Sequence, residues 1–224
     1  MTLAQKAKNT MSLLIWRSRY ALVYLRFRAY TMIPQHTYIS NLILMRRHRH
    51  VPGAVVECGT WKGGMIAGMA SMLGRDRSYY LYDSFEGLPP AKEIDGPSAL
   101  MWQKSKDSKD YFDNCTADEA DARAAMQKAG INDPVIMKGW FNQTLPGANF
   151  PDGIAILRMD ADWYDSTMDI FIHLFEKVNP NGLILIDDYY TWDGCTRAVH
   201  DYLSQNQRSE RICTYGGVCY VLKK

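Results

Sequence analysis

Short apolar runs alternate with stretches of helical periodicity from residue 53 to the end of the chain. Short apolar runs bounded by glycine or charged residues predict buried strands, and apolar positions three or four residues apart predict helices. The predicted strands are 53–59, 78–85, 134–141, 153–160 and 182–189, followed by two more within 211–224 on either side of Gly216-Gly217. The predicted helices are 63–74, 116–130, 167–182 and 195–206. This alternation predicts an α/β fold with a mostly parallel seven-stranded sheet, helices on both faces and an antiparallel C-terminal hairpin.

Capping residues mark the ends of two of these helices. Thr116 is the predicted N-cap of helix 116–130, with Glu119 at the capping-box position and Gly130 as the C-cap. The helix in TMDIF is predicted to be capped by Asp165 or Ser166. Some acidic residues of the chain are therefore expected to be helix caps.

Two segments fall outside the alternation. Residues 1–50 are predicted to form an N-terminal helical cap on a main domain of residues 51–224, and the long polar stretch 89–115 predicts a lid or a disordered loop. The apolar stretch 11–33 is interrupted by arginines, so it lacks the run of roughly 18–20 residues that spans a membrane. It also lacks a signal-peptide cleavage pattern. We favour a helix that packs on the domain or on the second subunit of a homodimer over a basic helix on a membrane surface.

Composition narrows the class of protein. The 224 residues suffice for one domain with a sizeable core, and the net charge of +2 gives no strong attraction to nucleic acid. The five cysteines are odd in number and have no CxxC spacing, which argues against a zinc site and against a secreted disulfide framework. We therefore expect reduced thiols in a cytosolic protein.

Acidic residues follow two of the predicted strands. Asp160 ends the strand 153–160, and Asp187 and Asp188 lie near the end of 182–189. These strands are expected to be neighbours, and ligands bind at the carboxyl ends of strands in such sheets, so the three carboxylates should converge. Converging carboxylates repel one another unless a positive charge lies between them. Three hard oxygen ligands match Mg²⁺ or a similar divalent cation, with helix capping as the alternative role.

The turn after the first strand, in VVECGTWKGG, is rich in glycine. Gly59 and Gly63 would let the backbone approach a ligand, but their spacing departs from the GxGxxG of dinucleotide-binding proteins. Glu57 would repel a pyrophosphate and suits a ligand with a cationic amine, and Asp83 after the next strand can accept both hydroxyls of a ribose. S-adenosylmethionine, a positively charged nucleoside without phosphate, fits both carboxylates. An ordinary tight turn and a capping aspartate are the alternative explanations.

Two further positions are candidates for the same ligand. Gly139 and Trp140 follow the third strand, where they would border an adenine ring or, for the tryptophan, fill the core. Asp162 lies two residues beyond Asp160 and is expected to project toward the ligand amine or the substrate.

Five motifs, in order, resemble the macrocin/mycinamicin-type (TylF-like) sugar O-methyltransferases from about Arg26 to the C-terminus. They are VVECGTWKGG, DSFEGLP, GWFNQTLP, LRMDADWYDSTMD and IDDYY…GCTRAVHDY. The resemblance implies a Rossmann-like class I methyltransferase that uses S-adenosylmethionine and Mg²⁺ to methylate a hydroxyl of a small-molecule sugar or glycoside. It implies metal ligation by Asp160, Asp187 and Asp188, with Asp160 also as the general base. The implied cofactor contacts are Tyr30, Thr31, Glu57, Gly59, Thr60, Trp61, Gly63, Asp83, Ser84, Gly139, Trp140, Asp160 and Asp162.

Two other functions remain open at this point. DAD in residues 160–162 has the form of the metal-binding DxD of a nucleotide-sugar glycosyltransferase, which would also need basic residues to hold the phosphates. A non-catalytic module that kept the cofactor pocket would be expected to have lost the metal ligands. The N-terminal segment and residues 89–115 depart from the family pattern, and they are the parts expected to shape the acceptor pocket.

Overall fold

The structure is a computed structural model that describes residues 18–224, so the predicted cap lies outside the described residues over 1–17. Residues 18–27 form helix α1. The remaining helices are α2 (Gln35–Arg47), α3 (Gly64–Leu73), α4 (Gly96–Lys104), α5 (Glu119–Ala129), α6 (Phe141–Thr144), α7 (Tyr164–Leu174) and α8 (Asp193–Gln205). The strands are β1 (Ala54–Cys58), β2 (Tyr79–Asp83), β3 (Val135–Lys138), β4 (Ile154–Met159), β5 (Val178–Ile186), β6 (Ile212–Tyr215) and β7 (Val218–Leu222).

The described strands form one seven-stranded sheet in the order β3-β2-β1-β4-β5-β7-β6. The first five strands in this order pair in parallel, and β7 pairs antiparallel with both β5 and β6. The predicted mixed sheet with a C-terminal hairpin is therefore confirmed. The strand order reverses between β1 and β4, and a crevice at such a reversal is the usual place for a ligand.

The core lies on both faces of this sheet. Val55 of β1 packs with α2, α3 and α5 on one face, and Val56 packs with α7 and α8 on the other, as the two-residue period of a strand requires. All residues of β1 and β4 are buried. Glu57 in β1 and Arg158 in β4 are therefore charged residues within the core.

The N-terminal helices share this core. Tyr20 and Phe27 of α1 are buried, and so is Tyr38 of α2, whose hydroxyl donates a 2.8 Å hydrogen bond to the Gly64 carbonyl at the start of α3. Among the helices of residues 18–224, none has both the length and the apolar character to cross a bilayer.

Two element boundaries differ from the prediction. Helix α5 begins at Glu119, and its N-cap is Asp118, whose side chain accepts a 2.8 Å hydrogen bond from the Ala120 N–H; the prediction of Thr116 as cap is wrong. Gly130 is the left-handed C-cap, as predicted. Strand β3 ends at Lys138, because the chain turns there and residues 141–144 form the short helix α6.

The helix predicted over 167–182 is wrong at both ends. Helix α7 runs from Tyr164 to Leu174, and β5 begins at Val178. Pro180 therefore lies within a strand, at an irregularity in the β4–β5 register where a missing N–H is tolerated. Neither Asp165 nor Ser166 caps α7: the Tyr164 N–H donates instead to the carboxylate of Asp95, at 2.7 Å.

The segment 89–115 has regular structure. It contains helix α4, preceded by a single 3-10 turn at Glu93–Asp95. A second turn, Phe112–Cys115, has four consecutive residues with positive φ, between 49° and 62°. Left-handed backbone is costly for residues with a Cβ, so the rest of the segment must hold this turn in place.

Candidate active site

A pocket opens at the carboxyl ends of β1, β2, β3 and β4, beside the reversal in strand order. Its wall includes eight of the predicted ligand contacts, which are Gly59, Trp61, Asp83, Ser84, Gly139, Trp140, Asp160 and Asp162. The other lining residues are Met32, Gly87, Leu88, Pro89, Cys115, Phe141, Ala161 and Ser166. Acidic and aromatic side chains share this wall, and it contains no lysine or arginine among the described residues.

Five predicted contacts do not line the pocket. They are Tyr30, Thr31, Glu57, Thr60 and Gly63. Of the segment Tyr30-Thr31-Met32, only Met32 reaches the wall. The Tyr30 backbone instead packs against Gly64.

The close approach of the Asp160 backbone requires a glycine at position 59. Its φ is +82°, and a Cβ placed there would lie 1.6 Å from the carbonyl oxygen of Asp160. Gly64 is similar, because a Cβ there would lie 2.4 Å from the Tyr30 carbonyl oxygen. These glycines let the first turn approach neighbouring chain segments, and only Gly59 also faces the pocket.

Asp83 organises the turns that follow β1 and β2. Its Oδ2 accepts a 2.7 Å hydrogen bond from the Trp61 N–H, and its Oδ1 accepts one of 2.7 Å from the Phe85 N–H. Trp61 and Phe85 both have positive φ, so the carboxylate stabilises two unfavourable backbone conformations. Burial raises the pKa of Asp83, and these N–H groups oppose the rise. Each oxygen keeps a lone pair for a further donor such as a ribose hydroxyl.

Asp160, Asp187 and Asp188 converge, as the strand order predicted. One carboxylate oxygen from each lies within 4.8 Å of the others. The pairing of Met159 with Ile186 aligns the ends of β4 and β5, and the Asp187 N–H donates to the Met159 carbonyl at 2.9 Å. Asp188 Oδ2 accepts 3.0 Å hydrogen bonds from the N–H groups of Ala161 and Asp162. Protein donors thus fix the orientation of the third carboxylate.

A buried arginine lies among these acids. The Nη1 of Arg158 donates hydrogen bonds to Glu57 Oε1 at 2.9 Å and to Asp160 Oδ2 at 2.8 Å. Its Nη2 lies 2.8 Å from Asp187 Oδ1, in an ion pair whose angle is too poor for a hydrogen bond. The positive charge that the converging carboxylates require is therefore supplied, at least in part, by the protein itself.

One arginine does not neutralise this group of acids. Burial raises the pKa of Asp160 to about 6, with Arg158 opposing the rise and Asp187 adding to it. Burial raises the pKa of Asp162 to about 8, and it raises that of Asp188 well above its ordinary range. Burial lowers the pKa of Arg158, but Asp187, Asp160 and Glu57 more than offset this effect. Several carboxyl groups beside one guanidinium offer the hard oxygen donors that a divalent cation prefers, and a bound cation would favour their ionised forms.

Aromatic residues adjoin the acidic wall. Asp162, at a φ of +56°, accepts a 2.8 Å hydrogen bond from Trp192 Nε1. The rings of Trp163 and Trp192 are 5.2 Å apart, and Trp102 of α4 packs edge-on against both, at 6.2 and 6.0 Å. Helix α4 is thereby attached to the loops that follow β4 and β5.

Arg158 and Asp95 are two residues of the site that were not predicted from the sequence. A signal for Arg158 was present, because Arg158 and Glu57 are the lone charged residues inside two apolar strands, and buried charges need partners. β1 and β4 are adjacent, and Glu57 and Arg158 are register partners. Asp95 had no comparable signal, since it reaches α7 from a distant segment.

The strand order and the terminal hairpin define a Rossmann-like class I methyltransferase fold. The solved structure of the O-methyltransferase NovP superposes with a TM-score of 0.71 and 27% identity, over 87% of this chain and 82% of that one. The family model for macrocin-O-methyltransferase (TylF) matches residues 25–224, and the chain belongs to this family.

Two curated relatives are similar in sequence. Mycinamicin III 3''-O-methyltransferase of Micromonospora griseorubida is 32% identical over 170 residues, which is 72% of this chain and 65% of the relative. The 8-demethyl-8-(2,3-dimethoxy-alpha-L-rhamnosyl)-tetracenomycin-C 4'-O-methyltransferase of Streptomyces olivaceus is 34% identical over 174 residues, 75% of this chain and 64% of the relative. The chain thus spans just under two thirds of the length of these relatives.

Proposed function

We propose that this chain is an S-adenosylmethionine-dependent O-methyltransferase that acts, with a divalent cation such as Mg²⁺, on a hydroxyl of a sugar or glycosylated natural product. The observation that carries the proposal is that Asp160 belongs both to the pocket wall, which also contains Asp83, and to the three converging aspartates. Family membership and the sugar and glycoside methyltransferases among the relatives support the same reaction and the same acceptor class.

The cofactor would occupy the pocket at the ends of β1 to β4. Asp83 would accept the ribose hydroxyls, Gly59, Trp61 and Ser84 would adjoin them, and Gly139 and Trp140 would border the adenine. Asp162 would face the charged amine. Of the remaining predicted residues, Tyr30, Thr31, Thr60 and Gly63 would act by shaping the turns around the pocket. Glu57 would act from within β1, through its ion pair with Arg158.

Asp160, Asp187 and Asp188 would hold the cation, which when bound supplies the Lewis acidity that lowers the pKa of the acceptor hydroxyl. Asp160 Oδ1, the oxygen that does not accept the Arg158 hydrogen bond, would take the hydroxyl proton. S-adenosylmethionine, held by Asp83 and its neighbours, would supply the methyl group directly to the acceptor oxygen and leave as its demethylated product, so no covalent bond to the protein would be required. Arg158 keeps Asp160 and Asp187 oriented throughout.

Residues 18–50, the described part of the cap, and the lid of residues 89–115 would close the acceptor side on the main domain of residues 51–224. Met32 from the first and Pro89 and Cys115 from the second lie on the pocket wall. Trp102 fastens the lid to Trp163 and Trp192, which would exclude water from the reaction.

The glycosyltransferase alternative lacks its required feature. A nucleotide diphosphate needs cationic side chains, and the described pocket wall offers carboxylates instead.

The test is calorimetric titration of S-adenosylmethionine and of its demethylated product into the protein, with Mg²⁺ and with EDTA, followed by a methyl-transfer screen over sugars and glycosides. We expect micromolar binding that Asp83→Ala abolishes and Asp152→Ala, at the opposite end of the sheet, leaves unchanged. Binding without transfer to any acceptor would favour the non-catalytic module. Absence of binding would contradict the proposal.

A further inference from the structure

In the N-terminal quarter of the chain, every residue that is charged at neutral pH is a lysine or an arginine. Residues 1–56 contain nine lysines and arginines and no aspartate or glutamate. The whole chain has a net charge of only +2, so the remaining residues are net acidic. Such an asymmetry between parts of one chain points to a polyanionic partner for the basic part.

Helix α1 carries two of these nine basic residues, Arg19 and Arg26, and has an exposed apolar strip. Its buried side is formed by Tyr20 and Phe27, which pack in the core. On the opposite side Leu22 is 67% exposed and Leu25 is 50% exposed. A helical turn of about 100° per residue places these two leucines at the centre of the exposed arc.

Arginines flank the strip on both sides. Arg19 and Arg26 lie along one edge of the exposed arc, Arg28 follows on the other edge, and all three are exposed. Arg26 Nη2 also donates a hydrogen bond to the Lys128 carbonyl, which leaves its other guanidinium nitrogens for a further acceptor. Long arginine stems beside exposed leucines are the arrangement of a helix that lies in a bilayer interface, where apolar groups insert and guanidinium groups reach the phosphates.

The basic surface continues onto the end of α2. Arg19, Arg46 and Arg49 line a single crevice between α1, α2 and α3. Arg46 Nη1 also donates to the Tyr20 hydroxyl at 3.4 Å, which joins the two helices. Within the described residues, neither Arg28 nor Arg49 forms an ion pair with a carboxylate.

We propose that α1 and the C-terminal end of α2 bind the surface of a bilayer that contains anionic phospholipid. Leu22 and Leu25 insert among the acyl chains, and the flanking arginines bind the lipid phosphates. The inference rests on this surface alone and does not depend on the proposed methyltransferase activity.

Two other occupants fit less well. A nucleic acid would use the arginines but would leave both exposed leucines without a role. A symmetric dimer through this surface would bring two basic patches together, and residues 18–56 contain no carboxylate side chain to offset their repulsion.

The test is co-sedimentation of the full chain with vesicles of phosphatidylcholine alone and of phosphatidylcholine mixed with phosphatidylserine. We expect binding to the mixed vesicles at low salt, weaker binding at high salt, and little binding to phosphatidylcholine. The double variant Leu22→Asp/Leu25→Asp should lower the bound fraction about tenfold, and Arg28→Glu/Arg49→Glu should lower it similarly.

Matched control variants distinguish vesicle binding through this surface from nonspecific adsorption. Ile172 is 57% exposed on α7, on the other face of the sheet, so Ile172→Asp should bind as the unaltered chain does. Arg211→Glu, at an exposed position beside β6, controls for charge. Thermal unfolding verifies that each variant is folded.

Equal binding by the leucine variant, or no preference for anionic vesicles, would overturn the proposal. So would a dimer in light scattering that the leucine variant disrupts while the unaltered chain ignores vesicles, since the surface would then join two copies of the chain.

Discussion

Arg158 Nη1 lies 2.9 Å from Glu57 Oε1, and both side chains are 2% exposed. The pair links the two central strands at a register position one residue before their carboxyl ends. Arg158 also holds Asp160 and Asp187, so one guanidinium connects the strand core to two of the proposed metal ligands. Stability and site geometry are therefore coupled through this residue.

Removal of Arg158 alone should destabilise the fold severely. Arg158→Gln leaves Glu57 buried without its counter-ion, which costs about 3–5 kcal/mol in comparable cases. The double variant Arg158→Gln/Glu57→Gln removes both charges, so it should recover much of that loss. Urea unfolding of the three proteins measures the difference. If Arg158→Gln alone were as stable as the unaltered chain, Glu57 would have to be neutral in the folded protein.

Divalent cation should stabilise the folded chain through the three aspartates. We expect Mg²⁺ to raise the melting temperature and EDTA to lower it, because the cation offsets repulsion among Asp160, Asp187 and Asp188. Asp188→Asn keeps the shape of the side chain but removes charge, so it should abolish this Mg²⁺ response and lower methyl transfer at least about a hundredfold.

The control for that experiment is Asp152→Asn, an exposed carboxylate at the opposite end of the sheet. This variant should keep both the Mg²⁺-dependent rise in melting temperature and the rate of methyl transfer. A Mg²⁺ response that survives in Asp188→Asn would place the cation elsewhere.

Asp83 should determine cofactor affinity. Asp83→Ala removes the acceptor for the Trp61 and Phe85 N–H groups and for the ribose, and the unsatisfied groups should cost about 1–3 kcal/mol of stability. Calorimetry should show S-adenosylmethionine binding weakened by about tenfold or more in Asp83→Asn, which keeps one acceptor oxygen. Unchanged affinity in Asp83→Asn would mean that the ribose lies elsewhere.

Gly59→Ala should disrupt the site far more than an equivalent change at an open position. A Cβ at Gly59 would overlap the Asp160 backbone, whereas at Gly147, which also has positive φ (+76°), nothing lies within 4 Å. Gly147→Ala should therefore cost only about 1 kcal/mol of backbone strain. Gly59→Ala should lower the free energy of unfolding by several times the loss expected for Gly147→Ala. It should also abolish cofactor binding. Equal losses in the two variants would show that the approach of Gly59 to Asp160 is not rigid.

Sequence patterns determined the sheet and the general position of the site. Apolar runs located all seven strands, and acidic residues at strand ends located the aspartates that converge, because the two-residue period and the parallel strand order leave few arrangements. The same patterns were unreliable at boundaries. VNPNG looks like the end of a helix, yet Val178 already pairs with Ile154 in the sheet.

Tertiary structure alone decided how the site is neutralised and enclosed. Repulsion among carboxylates predicts a positive charge without saying whether a metal or a side chain provides it, and only the alignment of β1 with β4 shows Arg158 beside Glu57, Asp160 and Asp187. Asp95 likewise caps α7 from about seventy residues away in the chain. Local propensity acts over a few residues, whereas contacts between distant segments form only when the whole sheet has been assembled.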